Sequence, residues 1–351
     1  MTAKKKPAAM QRAAALVPLS TLLAEFGFSM DEVLAGTGVS PGQVRPEVFI
    51  PYAAFLSILD NAGTLTGRDD IGIMLGKRQT LDALGPLGAV MRHAATLGEA
   101  IAEFAEFQRN NSTGGAVYLM RADRDVILGY GVHDPTARVS PQIYGLVLAV
   151  GCNLVAELTQ GAAAPEEILF SMAAPNDPTP YHRLGPCPIL FGQNQTGLVL
   201  SATTLALALP EANRGLHDQA LARLMRPQGI SPLETSARVR HLLRPLLLVG
   251  QARMEEVAAR MGLHHRTLRR RLLQEGTTFE AIKDEVRYST ARELLVLGDL
   301  SIADIAATLD YAAASAFVHA FRRWSGTSPG LWRTHSGLKA PLRGTQSHTQ
   351  A

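Results

Sequence analysis

The strongest constraint on the fold is a helical pattern that occurs twice, first from Met254 and again from Ile302. In the first copy Met254, Val257, Ala258 and Met261 fall at i, i+3, i+4 and i+7, one apolar stripe of a short helix. Gly262 follows and supplies the left-handed backbone that a tight turn between helices needs. Leu263 is an apolar anchor, and Leu268 and Leu272 mark the inner face of a second helix starting near His265. The small Ala258 lets the two helices cross closely. In the second copy Ile302, Ile305, Ala306 and Leu309 repeat the stripe. Asp310, which also tolerates the left-handed conformation, takes the place of Gly262, and Tyr311 that of Leu263. Phe317 and Phe321 match Leu268 and Leu272 after one extra turn residue. A helical stretch over 279–297, rising about 1.5 Å per residue, separates the copies. The pattern predicts an all-α module over 233–335 built from two helix-turn-helix units.

The outer face of the first unit carries the chemistry. Arg266 and Arg270 point away from Leu268 and Leu272, with Thr267 and Arg269 flanking them. Guanidinium groups suit both bidentate contacts to guanine and ion pairs with phosphate. A solvated basic face is the plain alternative. Yet Arg266, Arg269, Arg270 and Arg271 have no acid between them, so intrahelical salt-bridging does not account for them. Charge is segregated in the same sense: residues 231–335 hold 15 Lys/Arg against 11 Asp/Glu, and residues 13–230 hold 13 against 20. An acidic body joined to a basic module predicts a polyanionic partner for the module alone. His265, at the start of the reading helix, lies within reach of phosphate. In the second unit Ser315, Val318 and His319 replace Arg266, Arg269 and Arg270, which leaves few groups to bond base edges. That unit is expected to pack and to grip phosphate through Arg322 and Arg323, with His319 either donating to DNA or merely packed.

These motifs resemble the DNA-binding domain of the AraC family of bacterial transcription regulators. The resemblance runs from Val257-Ala258 through Gly262-Leu263 and Arg266-Thr267-Leu268-Arg269-Arg270 to Thr278-Phe279. It resumes at Ser301-Ile302 and continues through Phe317-Val318-His319-Ala320-Phe321 to Gly326-Thr327-Ser328-Pro329. Two departures stand out: Ala312 where many members carry a Ser cap, and His319 where they carry Arg. More loosely, residues 17–208 resemble the sensor domain termed arabinose-binding type, read here as α+β and not as a jelly-roll barrel. The resemblance implies a regulator that binds double-stranded operator DNA and a small-molecule effector, works as a homodimer in the cytoplasm, and contacts RNA polymerase if it is an activator. Two alternatives stay open: a ligand-independent regulator whose N-terminal domain only dimerises, and an enzyme with an appended DNA-binding module.

The rest of the chain supports an α+β domain over 17–226. Helical spacing over 19–34, 52–65, 71–75 and 87–107 gives way to period-two strands over 116–120 and 126–131. A helix over 141–158 follows, opened by Ser140 and Pro141, then short strands over 168–171, 189–191 and 198–200 and a helix over 203–225. The breaker-rich 227–232 reads as a linker, and residues 1–16 and 336–351 as disordered tails. Tyr144, His93, Arg109 and Asn110 could line an effector pocket, although each is more readily a structural or surface group, and the effector contacts stay unassigned. No apolar run reaches the roughly eighteen residues of a membrane span. Cys152 and Cys187 stand far apart, outside any disulfide or zinc spacing. His264-His265 lacks further ligands nearby. Both Gly-x-Ser-x-Gly matches, around Ser40 and Ser328, have Pro after the Ser and no strand before it, against a hydrolase elbow. No enzyme, cofactor or metal is expected.

Overall fold

The computed structural model describes residues 8–134, 137–225 and 235–335. The N-terminal region runs β1 (Met10–Arg12), α1 (Leu19–Ala24), α2 (Met30–Leu34), β2 (Phe49–Pro51), α3 (Tyr52–Thr66), α4 (Ile71–Gly76), α5 (Pro86–Arg92) and α6 (Leu97–Phe107). It continues with β3 (Gly115–Ala122), β4 (Asp125–Val132), α7 (Pro141–Leu158), β5 (Glu167–Leu169), β6 (Ile189–Leu190), β7 (Thr196–Leu200), α8 (Ala202–Leu205) and α9 (Arg214–Leu224). Five strands form one sheet in the order β3-β4-β7-β5-β6. All neighbours in it are antiparallel except β5 and β6. This is the expected α+β class.

Alternation along the β3–β4 hairpin decides the layering. Val117 pairs with Tyr130 and Leu119 with Leu128 on the inner face, where α7 brings Ile143, Leu146 and Leu154 into one core. The Ser140 side chain accepts from the Gln142 N–H and Pro141 takes the first turn, so α7 starts where the sequence predicts. By length and composition α7 could cross a bilayer, yet 67% of it is buried inside the protein, as befits a core helix. The outer face has lost side-chain bulk: the Tyr118 ring lies against Gly129, and the Arg244 guanidinium lies against Gly131.

Three predicted helices are each split in two. The 19–34 stretch breaks around Gly27, which has φ +80°. The 87–107 stretch breaks before Thr96, whose side chain caps α6 by accepting from the Glu99 N–H. The 203–225 stretch breaks around Pro210, which a continuing helix cannot accommodate. A larger correction concerns the expected N-terminal tail. Residues 10–16 are folded: β1 pairs with β2, and Ala13 and Leu16 are fully buried in the core. Arg12 anchors the same segment: its Nη1 donates to the Ala83 carbonyl at 3.3 Å and to Asn111 Oδ1 at 3.2 Å. Residues 1–7, the linker over 227–232 and the tail over 336–351 lie outside the described residues.

The C-terminal region is helical: α10 (Thr235–Leu248), α11 (Met254–Arg260), α12 (His265–Gln274), α13 (Phe279–Leu297), α14 (Ile302–Thr308), α15 (Ala314–Ser325) and α16 (Pro329–His335). Val257, Leu268, Leu272 and Ile282 belong to one core and Leu294, Ile305, Phe317 and Phe321 to another, so α13 serves both.

Candidate nucleic-acid interface and its link to an apolar cavity

Both turns have the predicted geometry. Gly262 has φ +65° and Asp310 φ +61°, so the aspartate does adopt the left-handed conformation. Asp310 is held there from α13: Arg287 donates to the Leu309 and Asp310 carbonyls, each at 2.9 Å, and its guanidinium sits 4.4 Å from the Tyr311 ring centroid. Farther back on the same helix Lys283 Nζ donates to the Ala252 carbonyl at 2.8 Å, beside the first unit. Thus α13 bonds main-chain oxygens beside both units.

On α12, Leu268 and Leu272 are buried while Arg266, Arg269, Arg270 and Arg271 are exposed. None of these four guanidinium groups has an ion-pair partner among the described residues. Thr267 and His265 are half-buried on the flank of the same face. His264 caps the helix by accepting from the Arg266 N–H at 3.3 Å, and its ring lies 4.2 Å from that of His265. The two histidines therefore open the helix. On α15, Ser315 and His319 are exposed and Val318 is half-buried. Arg322 is exposed, whereas Arg323 donates to Asp284 of α13 at 2.8 Å. The N-cap of α15 is Ala313, one residue past the expected Ala312, and no side chain caps it.

Where the module meets the N-terminal domain it buries an ion pair of its own. Arg244 of α10 donates from Nη2 to both carboxylate oxygens of Glu293 on α13, each at 2.8 Å, with the two side chains 0% and 1% exposed. Burial disfavours the charge on Arg244, but the Glu293 carboxylate beside it raises its pKa overall. Glu293 also accepts from the Ser171 hydroxyl at 3.3 Å, beyond the end of β5. Two main-chain contacts add to this seam: Arg292 donates to the Ala137 carbonyl at 2.6 Å, and the Ala173 N–H to the Leu297 carbonyl at 2.8 Å. Also at this seam, burial and then the charge of Arg109 push His241 of α10 down to about 4.

Behind the same hairpin lies a cavity of about 110 Å³, mostly apolar, between the inner sheet face and α7. Leu128, Tyr130, Ile143, Leu146 and Leu198 are among its apolar lining, and Gln11, Arg12, Gln79, Thr80, Gln108 and Asn111 make up its polar part. None of Tyr144, His93, Arg109 and Asn110 lines it. Tyr144 is fully buried and meets Tyr130 edge-on at 6.2 Å. His93 bonds the Glu211 carbonyl through Nδ1 at 3.0 Å. Arg109 faces α10. Sequence reasoning missed Arg12 and Asn111. One signal pointed to Arg12: it is the lone charged residue between Lys6 and Glu25. Glu99, Glu103 and His217 form the one cluster of possible metal ligands among the described residues. There His217 Nε2 bonds Glu103 at 2.6 Å and ties α9 to α6.

Comparison with known proteins places the chain in a family. Residues 27–209 match the family described as the arabinose-binding domain of AraC transcription regulator, N-terminal, and residues 257–335 match a helix-turn-helix domain. The HTH-type transcriptional regulator VirS of Mycobacterium tuberculosis is 27% identical over 331 residues, covering 93% of this chain and 97% of that protein. The ornithine utilization regulator of Pseudomonas aeruginosa is 27% identical over 329 residues, covering 90% and 94%. Among solved structures, the transcriptional regulator CdpR of Pseudomonas aeruginosa aligns over 87% of this chain and 96% of its own, at 24% identity and a TM-score of 0.42. With an N-terminal family match spanning more than half of its length and a helix-turn-helix module behind it, the chain belongs to the AraC family and is a DNA-binding transcription regulator, not an enzyme.

Proposed function

We propose that this regulator responds to a small molecule held in the cavity behind the β3–β4 hairpin, and that α12 reads the operator while α15 mainly holds position. The observation that carries the DNA side is the row of exposed arginines on α12, which have no ion-pair partner among the described residues. Arg266, Arg269 and Arg270 are assigned to base edges and adjacent phosphates, and His265 and Thr267 to the flanking backbone. Ser315, His319 and Arg322 of α15 contact the second groove or its phosphates. Arg323 joins them only by giving up Asp284, which makes Arg322 the stronger phosphate contact.

Coupling follows a short physical route. Tyr130 lines the cavity, and the next residue, Gly131, carries the Arg244 guanidinium on the opposite sheet face. Arg244 holds Glu293, and α13 holds both helix-turn-helix units. A ligand that fits one position of the hairpin better than another biases the seating of α13, and operator affinity changes by that differential affinity. A homodimer would set two such modules on repeated half-sites, and activation through RNA polymerase is the sign of regulation favoured by family resemblance. Sequencing the DNA retained by the full-length protein, then measuring affinity for that DNA with and without candidate compounds, tests the reading. Affinity unchanged across a broad metabolite set would favour the ligand-independent dimer.

A further inference from the structure

Helix α9 docks on the N-terminal domain through a histidine. His217 is its one buried residue, while the neighbouring Leu216 is 45% exposed. A helix ordinarily seats by an apolar stripe; here an imidazole enters the protein instead. It meets two carboxylates, Glu99 and Glu103, which stand four residues apart and so share one face of α6. One ligand atom from each of the three side chains lies within 4.8 Å of the other two.

Two further observations point beyond a plain hydrogen-bonded pair. His217 Nε2 meets one Glu103 oxygen at 2.6 Å, but the other, Oε2, is buried with no hydrogen-bond partner among the described residues. A buried carboxylate oxygen left unmet is costly, and a cation would meet it. The second observation is the support around the cluster. Glu99 Oε2 accepts from the Ala95 N–H at 2.7 Å, which holds that carboxylate in place. His217 Nδ1 lies 3.5 Å from Asp218 Oδ1, and a carboxylate on that side orients a histidine that ligates a metal through Nε2. One imidazole nitrogen and two carboxylates, without a thiolate, suit a borderline divalent ion such as zinc, with water completing the shell. Calcium, which takes roughly six to eight oxygens, fits poorly. Zinc bonds of about 2.0–2.2 Å set tetrahedral ligand atoms about 3.3–3.6 Å apart. Nε2 and the Glu103 oxygen need to part by no more than about 1 Å as the metal takes the place of the proton between them, and that proton is released to water.

We propose that Glu99, Glu103 and His217 form a three-ligand site for a divalent transition ion of the zinc class, which clamps α9 to α6. The site is separate from the cavity and does not depend on its effector. Because α9 is the last element of the N-terminal domain, the clamp steadies the end from which the chain passes to the helical module. The test strips the full-length protein with a chelator and titrates Zn²⁺ against a chromogenic zinc indicator. One tight site per chain is expected, and Glu103→Gln and His217→Gln should each weaken it at least about tenfold, since losing a supporting contact alone costs that much. Glu103→Gln keeps a hydrogen-bonding partner for His217, so it reports on the metal even if the histidine variant fails to fold. Zn²⁺ should also raise the urea midpoint of the native protein, followed by circular dichroism, and leave that of Glu103→Gln unmoved. The double variant His264→Gln/His265→Gln, which removes the adjacent histidines of α12, should retain the tight site. No Zn²⁺ binding by the native protein, unchanged binding by Glu103→Gln, or binding lost with His264 and His265 overturns the site and leaves His217 and Glu103 as a hydrogen-bonded tie between two helices.

Discussion

Replacing Glu293 with Gln should damage the protein far more than a neutral surface change. In the native structure the Arg244 guanidinium is 0% exposed and both Glu293 oxygens accept from it at 2.8 Å. Gln keeps the shape and one acceptor but leaves a full positive charge without its counter-ion. Removing one partner of a buried pair costs about 3–5 kcal/mol, because the remaining charge can neither reach water nor find another partner. Arg244→Met should cost a similar amount for the mirror reason. The double variant Arg244→Met/Glu293→Leu should recover most of the loss and lie within about 1–2 kcal/mol of the native protein, since an apolar replacement of a buried pair is often neutral.

The assay is urea unfolding followed by tryptophan fluorescence. Trp324 and Trp332 are the only two tryptophans in the chain, and both lie in the C-terminal helical module. A double-mutant cycle then isolates the pair, with an expected coupling of about 3 kcal/mol or more. Single variants that each cost under about 1 kcal/mol, or costs that add to within about 0.5 kcal/mol, would refute the reasoning and with it the Arg244–Glu293 link between α10 and α13.

Acid should loosen the same seam through His241. Burial first, and Arg109 second, push it down to about 4, against about 6.5 in an unfolded chain. Stability is then unaffected above pH 6.5 and falls between pH 6.5 and 4, because only the unfolded state takes up the proton. Urea unfolding at pH 7 and 4.5 should show His241→Gln losing less than the native protein, by on the order of 2 kcal/mol; equal losses would contradict this. Ala313→Ser, placing a side-chain cap at the start of α15 where there is none, should stabilise the module by about 0.5–1 kcal/mol in the same assay. His319→Ala should weaken operator binding only modestly in a gel-shift titration, and a lost base preference in the distal half-site would show that α15 reads sequence.

Local patterns were legible and long-range partnerships were not. The stripes of the two helix-turn-helix units, the left-handed positions at Gly262 and Asp310, and the start of α7 at Ser140-Pro141 each rest on residues within a few positions of one another. The sequence therefore carries them directly. The splits within 19–34, 87–107 and 203–225 were hidden because apolar spacing continues across breaks made by Gly27, Thr96 and Pro210. Arg12 reads as part of a tail because its partners, Glu47, Ala83 and Asn111, come from three distant segments. The Arg244–Glu293 pair was equally invisible: on its own helix each residue reads as an ordinary surface charge. The cavity shared that fate, since its wall draws on β1, β4, β7, α6 and α7 together.

The central claim, that α12 reads the operator, is tested most directly by selecting bound sequences from a random DNA pool with the native protein and with Arg270→Ala. The account predicts that the variant loses preference at one or two base pairs and about 1–3 kcal/mol on the native operator. Arg322→Ala, in contrast, should lower affinity for all sequences alike and flatten the salt dependence. An unchanged preference in Arg270→Ala would contradict the assignment of base reading to α12.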